Sequence, residues 1–146
     1  MGFKLWLEAD YVKWNMEWPV RQGTGDEPHS QDTPPHMENG DYVLYHGTHL
    51  LSAENILHTH RINHDDWHCV GVCTTPSAAQ TYASMKAKTY KSAVLRVVVR
   101  REWLTQQEIT REVGGGGKDQ WLIRVDCMPP EAMRDIRIYS ISGEPV

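Results

Sequence analysis

The sequence predicts an α+β domain built on a largely antiparallel or split β-sheet with short flanking helices, on three observations. Strand-like and helix-like runs are mixed without a regular βαβ alternation. The layout of strand, polar turn and helix occurs twice, over Tyr42–Leu57 and again over Gly71–Met85. A β-branched run, Ser92 to Val99, has the look of a buried strand.

Taken in order, residues 1–21 form an arm carrying Trp6, Trp14 and Trp18, read as an extension docked on the main domain. Residues 22–40 hold almost nothing apolar and are rich in Gly, Pro, Asp and Glu, so they read as a linker or long loop. The dense pattern of residues 41–146 is the domain proper. Tyr42 to His46 reads as a strand, and Ser52 to His58 as a short helix with Ala53, Ile56 and Leu57 on one face. Thr75-Pro76 is an N-cap followed by first-turn proline, opening a helix through Ala78, Ala79, Tyr82, Ala83 and Met85. Thr105-Gln106-Gln107-Glu108 has capping-box spacing, which predicts a brief helix to Val113, ended by Gly114 to Gly117. Gln120 to Val125 and Ile136 to Ile141 read as two further strands, joined by a turn at Pro129-Pro130.

At 146 residues the chain has room for one ordinary domain with a core, not for two. A net charge of -4 excludes general basic-surface binding of nucleic acid. No apolar stretch approaches the ~20 residues of a membrane span, and Met1 to Trp6 lacks a long apolar signal core. Trp6 also stands where a myristoylation motif requires Ser or Thr. The expectation is a soluble, cytoplasmic protein with no membrane partner. Cys69, Cys73 and Cys127 cannot all pair within one chain, so reduced thiols are expected.

The chemistry concentrates at Tyr45-His46-Gly47-Thr48, read as the exit of the first strand just before its helix. Glycine permits close backbone approach to a ligand, and an adjoining imidazole offers a donor or acceptor suited to a ribose hydroxyl. Gly71-Val72-Cys73-Thr74 is the matching edge of the second unit, and the two edges form two walls of one cleft.

On these motifs the chain resembles the ADP-ribosyltransferase superfamily, in the branch of poly(ADP-ribose) polymerases and diphtheria toxin. In that branch a strand ends in His-Gly-Ser/Thr and is followed by a helix with an Ile-Leu pair, here His46-Gly47-Thr48 and Ile56-Leu57, then His60-Arg61-Ile62. The second block reads Gly71-Val72-Cys73-Thr74, then Ser77 through Tyr82-Ala83; the third falls at Gln120, after the glycines. The resemblance implies the family's split-sheet fold and NAD as substrate. It implies that His46 holds the adenosine ribose, that the Gly47 backbone holds the nicotinamide carboxamide, that Thr48 supports the His46 turn, and that Tyr82 stacks on nicotinamide. Three positions depart from the family. Cys73 stands at its first cleft tyrosine, Ala79 at its carboxamide-binding serine, and Gln120 at its catalytic glutamate. Glutamine still hydrogen-bonds a hydroxyl but carries no charge and is no base at neutral pH, which argues against chain elongation. Asp119, Glu108 and Glu112 lie close by in sequence and read as solvated charges.

The implied activity is mono-ADP-ribosyl transfer from NAD to a macromolecule, with protein favoured over nucleic acid as acceptor, and His46 and Gln120 as the catalytic pair. The resemblance leaves open whether such an enzyme serves as a toxin, an effector, a viral protein or a host enzyme. A catalytically inactive module binding NAD or ADP-ribose is the alternative. A second alternative, a metal-stabilised interaction domain, rests on six of eight histidines lying between His46 and His68, followed by Cys69 and Cys73. Their spacing completes no paired-ligand motif, so no metal ligand is assigned.

Overall fold

A computed structural model describes residues 35–65, 68–112 and 120–146. The Trp-rich arm, most of the linker and the glycine run lie outside these residues. The fold is α+β and mostly antiparallel, with few short helices. A five-stranded sheet has the order β1 (His36–Glu38), β2 (Asp41–His49), β5 (Ser92–Val99), β9 (Met133–Ile141), β10 (Glu144–Pro145). A three-stranded sheet runs β4 (Val70–Val72), β7 (Gln120–Ile123), β6 (Ile109–Glu112), and β3 (Ile62–Asn63) pairs with β8 (Cys127–Met128).

Two Xaa-Gly turns close the ends of the large sheet. Asn39-Gly40 joins β1 to β2 with φ of 50° and 85°, and Ser142-Gly143 joins β9 to β10 with φ of 54° and 86°. Both central positions lie in the left-handed region, the signature of the two-residue hairpin turn whose twist suits paired strands. β1 therefore begins inside the segment read as linker. Glu38 and Asp41 then anchor this hairpin: Arg96 donates to Glu38 at 2.9 Å, and Arg134 donates to Asp41 at 2.8 Å.

Helix α1 (Leu50–Thr59) is capped by the His49 imidazole, which accepts the Ser52 N–H at 3.1 Å, and it ends at left-handed His60. Helix α2 (Pro76–Ala87) begins as expected, with the Thr75 hydroxyl accepting the Ala78 N–H at 3.3 Å and proline in the first turn. Its buried residues are Ala78, Ala79, Ala83 and Ala87, so small side chains bring its backbone close to the sheet. Helix α3 (Arg101–Leu104) is a single turn, and Pro130–Ala132 is a 3₁₀ turn.

The sheets enclose the main core, where Leu44, Leu95, Val97, Ile56, Val70, Trp121, Ile123 and Met128 pack together. The other face of β2 and β5 is covered by α2, in a smaller cluster of Cys73, Ala78, Ala79, Ala83 and Val94, flanked by Tyr45 and Tyr82. Among the described residues no helix is long and apolar enough to cross a membrane.

Several expectations are corrected. Thr105 caps the end of α3 rather than starting a helix, and Ile109–Glu112 is a strand. Ile109 is buried and pairs with Ile123, so strand pairing outweighs the local capping signal. The strands read at Gln120 and Ile136 belong to different sheets. β2 also runs on through Gly47 and Thr48 to His49, which places His46 inside a strand rather than in a turn supported by Thr48.

Candidate functional site

The two edges picked out in the sequence meet. Tyr45 and Cys73 form an antiparallel bridge, each N–H donating to the other's carbonyl at 2.8 Å. Beyond this bridge β2 and β4 part, and His46 spans the gap: its Nδ1 lies 2.7 Å from the Gly71 carbonyl oxygen. A carbonyl only accepts, so Nδ1 carries the proton and Nε2 keeps its lone pair. The ring is buried, and desolvation, reinforced by the positive charge of Lys86, pushes its pKa down to about 3. His46 is thus a neutral imidazole with a fixed tautomer and an acceptor nitrogen, at the wall of a cleft.

Gly47 has two faces to explain. Its backbone orientation follows from the strand pattern: Tyr45 turns both polar groups toward Cys73, away from β5, and the residue two positions on repeats that direction. The N–H and C=O of Gly47 therefore face the opening between β2 and β4. The carbonyl accepts from Lys86 Nζ at 2.9 Å. The missing side chain, by contrast, serves packing: a Cβ here would collide with the Ala79 carbonyl oxygen and come within 2.8 Å of the Ala83 nitrogen. Glycine at this position lets α2 sit against the strand, and Gly47 itself is buried beside the cleft rather than in its lining.

The cleft holds about 350 Å³, within the range of roughly 300–1,000 Å³ usual for small-molecule sites. His46, Thr48 and Gly71 form its floor; Ser52 and Asn55 of α1, Arg61, Asp65 and Lys86 supply much of its polar wall. Lys86 is exposed as a residue, but its ammonium end reaches inward, and desolvation lowers its pKa from the ordinary lysine value. Two cations and a neutral imidazole acceptor suit an anionic ligand rich in hydroxyls.

Other residues singled out in the sequence sit beside this cleft rather than in its lining. Gln120 lies over Gly71, where its side-chain amide fills the space a Cβ would need. Cys73 is buried in the cluster under α2, with half-buried Tyr82 against it. Ala79 is fully buried against Gly47. Glu108 is exposed, and Asp119 lies outside the described residues. Sequence reading missed Lys86, Asn55 and Asp65, and gave Arg61 no role. Lys86 is the most telling omission, since it meets Gly47 from 39 residues away.

Compared with known proteins, the chain matches no protein-family model and no curated protein.

Proposed function

We propose that this domain binds NAD at the opening between β2 and β4 and transfers its ADP-ribose to a macromolecular acceptor, as a mono-ADP-ribosyltransferase with the split-sheet fold of that superfamily. One observation carries the reading. A tautomer-fixed histidine bridges to a glycine on the facing strand, in a cleft lined by two cations, with Gly47 and the Gln120 amide beside that lining. In this reading His46 Nε2 accepts a ribose hydroxyl, the Gly47 N–H meets the nicotinamide carboxamide, and Arg61 and Lys86 face the phosphates. Tyr82 and Cys73 support the strand edges.

The reaction breaks the bond between ribose C1′ and the nicotinamide nitrogen. Nicotinamide leaves with the electron pair, an acceptor oxygen or nitrogen bonds C1′, and the acceptor's proton passes to solvent. Positive charge develops on the ribose as the bond breaks, and a preorganised dipole aimed at it lowers the barrier. Gln120 offers its amide oxygen for that purpose but no negative charge, which suits a single slow transfer better than elongation.

The purified chain incubated with NAD and cell extract is expected to release nicotinamide and to add ADP-ribose to itself or to extract proteins, read by mass spectrometry. Intact NAD and unmodified proteins would overturn transfer. A silent NAD or ADP-ribose binding module is the second reading, favoured by Lys86 already holding the Gly47 carbonyl and by the uncharged Gln120. Loss of nicotinamide release in Gln120→Ala, with binding retained, would exclude it.

A further inference from the structure

We propose that His64, His68 and Asp126 form a binding site for one divalent transition-metal ion of the zinc class, beside the cleft, whose lining includes His64. Each of the three offers a ligating atom, and these atoms all lie within 4.8 Å of one another. The backbone brings them together from two distant parts of the chain. β3 pairs with β8, matching Asn63 with Cys127, and the next residues continue the contact, the His64 N–H donating to the Asp126 carbonyl at 2.8 Å.

His68 arrives by a different route. Asp65 holds His68 and Cys69: its N–H donates to the Cys69 carbonyl at 2.9 Å, its carbonyl accepts from His68 N–H at 3.1 Å, and its carboxylate accepts the Cys69 N–H at 3.3 Å. The result is a pair of stacked imidazoles with ring centres 4.5 Å apart, His68 Nδ1 lying 3.9 Å from the Asp126 carboxylate. His64 Nδ1 is turned to the Asp65 carbonyl, which assigns it the proton and leaves Nε2 as the ligating nitrogen. A ligating histidine whose second nitrogen donates to a carbonyl is the usual arrangement in metal sites.

Two imidazoles and one carboxylate suit zinc and its neighbours rather than calcium or magnesium, which favour all-oxygen shells. Three protein ligands leave a coordination position for water. All three residues are exposed, so an ion reaches them without a folding change. His64, Asp65 and Cys69 line the cleft, so an ion here braces that wall against the segment entering β8. This inference stands apart from the proposed chemistry and does not need it.

The test is a calorimetric titration of the full-length, tag-free chain with zinc chloride, alongside His64→Ala, His68→Ala and, as control, His58→Ala. One equivalent bound by the wild type and by His58→Ala is expected, with affinity at least tenfold weaker in each of the other two. Zinc should raise the thermal unfolding midpoint of the wild type and of His58→Ala, and not that of His64→Ala or His68→Ala. Absence of zinc binding, or affinity unchanged in His64→Ala and His68→Ala, would overturn the site. Circular dichroism of each variant separates loss of the site from loss of the fold.

Discussion

His46 decides what the cleft can do, and its protonation is the property most open to measurement. Burial and the Lys86 charge depress its pKa from 6.5 to about 3. The unfolded chain therefore binds a proton that the folded chain does not between these values, and stability rises with pH across that window. The slope is on the order of 1.4 kcal/mol per pH unit from this group alone. Stability should thus fall as pH drops below 6.5 toward 3, and the fall should be shallower in His46→Gln, as denaturant titrations at several pH values would show. Lys86→Met removes the smaller of the two causes. His46 in that variant should titrate above its wild-type value yet below 6.5, read from the imidazole proton shifts by NMR. An unchanged titration would mean that Lys86 does not act on the ring. Of these residues, the sequence pointed to His46, Gly47 and Thr48 but not to Lys86, because a lysine in the last turn of a helix normally reads as a solvated charge.

At the scale of elements, the fit of α2 on β2 depends on Gly47 and on the alanine face of the helix. Gly47→Ala drives a methyl into helix backbone that cannot rotate away. We expect a loss of about 1–3 kcal/mol in chemical denaturation, the range for overpacked cores, with the cleft edge displaced. Thr75→Ala removes the α2 N-cap and should cost about 1 kcal/mol; a neutral result would show that the cap bond contributes nothing. These two elements also mark what local sequence can and cannot convey. Thr75-Pro76 carries its own start signal, and Ser92 to Val99 its own burial pattern, so both were legible. The capping-box spacing at Thr105 was equally strong and misleading, since Ile109 gains more by pairing with Ile123 in the core than a helix would supply. Asn39-Gly40 was a hairpin signal overlooked because the polar residues before it made the whole stretch read as linker.

For the molecule as a whole, the α+β class and the meeting of the two strand edges followed from the repeated layout of strand, turn and helix. Which strand belongs to which sheet did not. It depends on which strand pairs with which over long separations, as in the Ile62–Met128 pairing, and no local pattern encodes that choice. The same limit hid the Lys86 contact and the meeting of Asp126 with His64. What the assembled fold supplies is a seam in which β2 and β4 touch once, at Tyr45 and Cys73, and then part around His46. The proposed binding of NAD at that seam is open to equilibrium titration of the purified chain, wild type against His46→Ala. Saturable binding by the wild type, weakened at least tenfold by His46→Ala in a protein that remains folded, is the expected result. No binding by the wild type, or equal binding by both, would contradict the assignment of this cleft to NAD.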